Sequence, residues 1–78
     1  MLRKTVSIPS LEAAKSFVNF TSKYDEVPMR LRVNDYEVDA HSIVGVLSIV
    51  DTHCPAEFTA KTDEDNSDIL NDIKPFLA

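Results

Sequence analysis

The stretch MRLRVNDYEVD, residues 29–39, limits what this chain can become more than any other. Met29, Leu31 and Val33 alternate with Arg30 and Arg32, the two-residue period of a strand with one apolar and one wet face. Asn34-Asp35 reads as a tight reversal, and Tyr36 to Asp39 as the returning strand. A two-stranded ribbon is not stable alone in water, so the remaining residues must widen the sheet and cover its apolar side.

They have the patterns to do so. Lys4 to Ile8 reads as a strand with Val6 and Ile8 on one face, and Glu57 to Thr62 as another with Phe58 and Ala60 together. After Pro9 and Ser10, the positions Leu11, Ala14, Phe17, Val18 and Thr21 recur at helical spacing, and the helix is expected to end near Lys23 or Tyr24. A second helix is predicted over about Ser42 to Val50. The acidic run DEDNSD caps a third, with Ile69, Ile73 and either Phe76 or Leu77 inward and a break around Pro75. The order β-α-β-β-α-β-α predicts an α+β, open-faced two-layer sandwich, a four-stranded antiparallel sheet with three helices on one face, in one domain spanning residues 1–78.

Eight basic against thirteen acidic residues give a formal charge of −5, which argues against nucleic acid or an anionic membrane as partner. The single cysteine, Cys54, cannot close an internal disulfide, and no apolar run reaches membrane-spanning length. MLRKTVSIP lacks the apolar core of a signal peptide, so the expected setting is cytoplasmic. His53 and Cys54 are neighbours without the ligand count for zinc or the third member of a nucleophilic set, so neither metal nor cofactor nor enzymatic activity is expected.

The segment VDAHSIVGVLSIV, residues 38–50, holds the one glycine of the chain and more apolar residues than one buried face uses. Ser42 stands at the helix N-cap, where its hydroxyl can accept an amide proton. The same position suits a phosphoryl group, which would meet free amides and the positive end of the helix dipole. Ile43, Val46, Leu47 and Val50 are expected to face the sheet, Val44 to project sideways and Leu47 to mark the border. Val44 and Leu47 read either as a docking patch or as ordinary core edge.

In these residues the chain resembles HPr, the small phosphocarrier family of the bacterial sugar phosphotransferase system. AHSIVGVLSI is similar to the family's AKSIMGVMSL segment, AAKSFVNFTSKY to its first helix PAAxFVxxAxxF, and DEDNSDILNDIKPFL, more loosely, to its last helix. The resemblance implies that Ser42 is a regulatory serine modified by an HPr kinase/phosphorylase, and that Val44 and Leu47 bind partners. His41 takes the place of the usual lysine before that serine and belongs with the partner-binding residues.

The family's phosphocarrier motif, GLHARPAA, is absent. Aligned on AAKSFV, Ser10 stands at the histidine position and Glu12 at the arginine position. A serine ester is too unreactive to relay a phosphoryl group, and a carboxylate at about 4 Å from one costs roughly 1 to 4 kcal/mol. Lost histidine with kept serine resembles the catabolite-repression branch of the family. The resemblance therefore implies a regulatory protein-binding module, with HPr kinase/phosphorylase, a carbon-catabolite regulator or phosphotransferase components as partners. Two alternatives stand beside it: residual phosphocarrier work in sugar uptake, and an HPr-fold interaction module unrelated to phosphotransfer. The family's glycines after the Ser42 helix are also missing, replaced by SIVDTHCPAEF.

Overall fold

The computed structural model describes the chain from Met1 to Ala78. Its elements are β1 (Leu2–Val6), α1 (Leu11–Ser22), β2 (Met29–Val33), β3 (Tyr36–Asp39), α2 (Ile43–Val50), β4 (Ala56–Ala60) and α3 (Ser67–Ile73), with a final 3-10 turn Lys74–Phe76. The strands form one antiparallel sheet in the order β1-β4-β2-β3. This is the expected α+β sandwich.

Alternation decides which face is covered. Met29, Leu31, Val33, Ala56, Phe58 and Ala60 are buried beneath the helices, while Arg30, Arg32, Glu57 and Thr59 point to the open side. The turn at Asn34 uses a left-handed backbone (φ 55°), which asparagine tolerates. Strand limits differ from expectation, though the in-out assignment does not. β1 runs from Leu2 because it pairs along all of β4, Leu2 opposite Ala60 and Val6 opposite Ala56. Past Val6 the C-terminal residues take over: Ser7 N–H donates to the Phe76 carbonyl at 2.7 Å and Ala78 N–H to that of Thr5 at 3.1 Å. Ile8 lies beyond the strand but is still buried.

Phe17 is the hub of the core. Its ring meets Phe20, Phe58 and Phe76 edge-on at centroid distances of 5.7, 5.9 and 5.2 Å, joining α1 to β4 and to the C-terminal turn. Phe20, absent from the predicted stripe, is buried, whereas Leu11 is 52% exposed. Phe76, not Leu77, is the inward residue of the last turn. Pro75 falls inside the 3-10 turn, where the predicted break occurs. Outside the apolar core, Tyr24 donates to Asp72 Oδ2 at 2.8 Å and ties the end of α1 to α3.

The lone glycine marks the closest approach of α2 to the sheet. A Cβ on Gly45 would lie 3.1 Å from Val38 Cβ and 3.3 Å from the Asp39 carbonyl oxygen, atoms fixed to the backbone of β3. Neither can swing aside. Gly45→Ala is expected to lower stability by about 1 kcal/mol, because overpacking of roughly 1–3 kcal/mol outweighs the gain of about 1 kcal/mol in helix propensity. Urea denaturation checks this; an increase in stability would show that α2 can lift without cost.

Candidate functional site

The start of α2 is held from three directions. Thr21 Oγ1, the one buried polar side chain, donates to the Ala40 carbonyl at 2.9 Å and fastens α1 to the β3–α2 connection. Asp39 Oδ1 accepts the His41 N–H at 2.9 Å and lies 3.0 Å from the ring Nδ1. The other ring nitrogen, Nε2, is 3.2 Å from the Tyr24 carbonyl. Both ring partners are acceptors, so a singly protonated imidazole donates to one and a doubly protonated imidazole to both. The His41 side chain is 22% exposed, with an acceptor on each edge of its ring.

The Asp39 carboxyl is held below its usual range. The His41 backbone N–H is the main cause, helped by the His41 ring and by Arg30, with burial opposing. Ser42 follows as the N-cap: its Oγ accepts from Gly45 N–H at 3.3 Å, and its carbonyl accepts from Val46 N–H at 2.9 Å.

Beyond the cap, α2 carries no charged residue through Val50. Val46 and Ile49 are buried, Leu47 and Val50 are partly covered against the core, Val44 is 75% exposed and Ile43 is 38% exposed. Ile43 thus leaves the inward face predicted for it, and Ile49 takes the place. With Gly45 against β3, Val46 and Ile49 are the buried residues of α2 and Ile43 is turned outward. Tyr36, half exposed on the edge strand β3, adds to this surface; its hydroxyl donates to Ser48 Oγ at 2.9 Å, and Ser48 donates onward to the Gly45 carbonyl at 2.5 Å. Nothing in the local pattern around Tyr36 foretold that contact.

Ser10 and Glu12 lie at the start of α1. Ser10 Oγ accepts from Ala13 N–H at 3.2 Å, a plain N-cap, with Glu12 exposed in the first turn. Next to them the structure adds a residue that sequence reasoning had set aside. A cleft of about 290 Å³ is lined by Ser7, Ile8 and Pro9, which lead into Ser10, and by His53, Cys54 and Pro55 from the loop after α2. An imidazole therefore stands at the approach to the first helix, although none does so in the linear sequence. Thr52 shapes this loop, donating to the Ile49 carbonyl at 2.7 Å and accepting from Cys54 N–H at 3.2 Å. His53 adopts a left-handed backbone (φ 55°), the conformation glycine takes most readily past a helix end.

The Ser42 corner and the His53 corner are thus the two ends of one short helix. No cluster of three or more His, Cys, Asp or Glu side chains is placed to hold a metal ion. No helix is long and apolar enough to cross a membrane.

No protein-family model and no curated protein matches this sequence. Among solved structures it is similar to the crystal structure of HPr-C-His from Thermoanaerobacter tengcongensis, with a TM-score of 0.76, 22% identity, and coverage of 97% of this chain and 91% of that one. The chain has an HPr-like fold. At that identity the likeness concerns the fold; the HPr-like sandwich sets α2 with Ser42 at one end and His53 at the other.

Asp39 yields a pH signature. Its folded carboxyl titrates below the ordinary 3.8, so its contribution is complete above that value and is lost as pH falls through the lower, folded value. Asp39→Asn, which keeps an acceptor but removes the charge, is expected to be less stable than the parent at neutral pH. The gap should close only below pH 3.8. Denaturant midpoints across that range check it; a gap unchanged in acid would place the effect elsewhere than in the charge.

Proposed function

We propose that this chain is a regulatory protein-docking module of HPr type, with the exposed side of α2 as docking surface and Ser42 as phosphorylation switch. One observation carries the reading: an uncharged helix shows Val44 at 75% exposure two residues after a serine N-cap. A folded domain this small has little reason to leave such a ridge in water unless a partner covers it. Ser42 lies within the first turn, whose leading N–H groups have no intrahelical acceptor, so a phosphoryl group there gains hydrogen bonds and adds about two negative charges. The partners this reading implies are an HPr kinase/phosphorylase acting on Ser42 and a carbon-catabolite regulator or phosphotransferase component docking on Val44, Leu47 and His41. The cellular setting is the cytoplasm.

A second reading is favoured by the cleft at the start of α1. His53 provides an imidazole there, and a phosphoryl group could pass from a donor phosphohistidine to a His53 ring nitrogen, one P–N bond breaking as the other forms. Glu12 in the first turn of α1 works against that transfer.

Both readings are tested together. With HPr kinase/phosphorylase and ATP, the chain is expected to be labelled, and Ser42→Ala to stay unlabelled; an unlabelled parent chain ends the switch. With enzyme I and phosphoenolpyruvate no label is expected. A label abolished by His53→Gly would establish the relay instead, since glycine suits that backbone and its removal of the imidazole leaves the loop relaxed.

A further inference from the structure

β1 lies at one edge of the sheet and β3 at the other. Along a paired strand the N–H and C=O of one residue point to the same side, and those of the next residue to the opposite side. In β1 the outward groups belong to the odd positions. The Thr5 carbonyl accepts from Ala78 N–H at 3.1 Å, and Ser7 N–H donates to the Phe76 carbonyl at 2.7 Å. Leu77 thereby stands opposite Val6 as a short antiparallel addition to the edge. Arg3 points outward by the same alternation, and no strand pairs with its N–H and C=O on that side. Beside it a cleft of about 500 Å³ is lined by Met1, Leu2, Arg3, Lys4 and Glu64. The Arg3 and Lys4 side chains are exposed, and neither has a carboxylate within ion-pair distance. Alternation with the buried Leu2 and Val6 puts Arg3 on the open side of the sheet and Lys4 on the helix side.

We propose that this stretch of edge takes an extended acidic segment of a partner protein, added to β1 as an antiparallel strand. The inference goes beyond the docking reading above: it concerns the sheet edge opposite β3 and stands or falls apart from α2. In line with Leu77 and Ala78, the segment sets one residue opposite Arg3, exchanging two backbone hydrogen bonds with it, and the preceding residue opposite Lys4. Those two side chains share the faces of Arg3 and Lys4, so two successive carboxylates would each meet an unpaired cation. Charged side chains on an edge strand guard it against indiscriminate pairing. The same two cations select for an acidic segment and turn away a basic one. A second copy of this chain, joined β1 to β1 through a two-fold axis, would set the cations against their equals. Glu64 is the one carboxylate lining the cleft, and it works against the acidic segment, limiting how tightly the edge can bind.

The test uses the full chain, labelled with 15N, and three synthetic peptides of about eight residues, rich in valine and threonine. One has Asp-Glu at its centre, one has Lys-Lys there, and one is the Asp-Glu peptide N-methylated at the glutamate, the residue meant to pair with Arg3. The Asp-Glu peptide is expected to shift the amides of Leu2 to Thr5 and to slow hydrogen exchange at Arg3. Its binding should weaken several-fold between about 0.05 and 0.5 M salt, and about tenfold in the exposed double variant Arg3→Gln, Lys4→Gln. Glu64→Gln should tighten it about twofold. Equal binding of the Lys-Lys peptide, or no loss in the double variant, overturns the acidic partner. Equal binding of the N-methylated peptide overturns strand addition, since charge alone would then hold the peptide. Shifts centred away from β1, or none with any peptide, overturn the site as a whole. A dimer of the chain alone in sedimentation, with exchange slowed at Arg3, gives the edge to a second copy and overturns the partner segment.

Discussion

α2 can lie where it does because residue 45 has no side chain. The backbone of β3 stands where a Cβ would need room, and that contact fixes both the depth and the rotation of the helix. Much of the surface follows from it. Val46 and Ile49 go inward, Ile43 and Val44 come outward, and Ser42 and Asp51 stand at the two ends. Thr21 then ties the near end to α1, its fully buried hydroxyl lying 2.9 Å from the Ala40 carbonyl and 3.1 Å from the Val18 carbonyl of its own helix. The helix that carries the candidate surface is placed by a missing methyl group, by the burial of Val46 and Ile49, and by the hydrogen bonds at its start. Its own eight residues would make a marginal helix alone.

Strand alternation was legible because its period is two: a shift of β1 by two residues, from Lys4–Ile8 to Leu2–Val6, leaves every side chain on its original face. Helices are less forgiving. In α1 a spacing of three and four admits Leu11 or Phe20 into the stripe, and only the aromatic cluster around Phe17 selects Phe20. In α2 nearly every residue is apolar, so periodicity cannot say which side is inward. The glycine held that information, but reading it requires knowing that β3 lies across position 45.

The site divides in the same way. Ser42 and Ser10 were readable as caps because capping is local, three residues in reach. His53 was not, because its place beside the start of α1 depends on a loop returning across the molecule. No imidazole stands beside the first helix in the linear sequence, whereas in the folded chain His53 lines the cleft next to the residues that lead into it. There was one signal. The HPr-like pattern has glycines where this sequence has SIVDTHCPAEF, and a histidine in a left-handed conformation costs roughly 1–2 kcal/mol over glycine.

The two clasped acceptors of His41 bear on how a phosphoryl group at Ser42 would act under the proposed reading. In the HPr-like segment AKSIMGVMSL a lysine precedes the serine and could neutralise the phosphate directly. Here the imidazole is turned to Asp39 and Tyr24, and Asp39 is itself an anion two residues before it. Local compensation is therefore left to the helix amides, which stabilise the phosphate without cancelling its charge. In a chain already at −5 with no cation along α2, the switch would work by deepening a field that exists, and its effect would be felt by whatever docks on Val44.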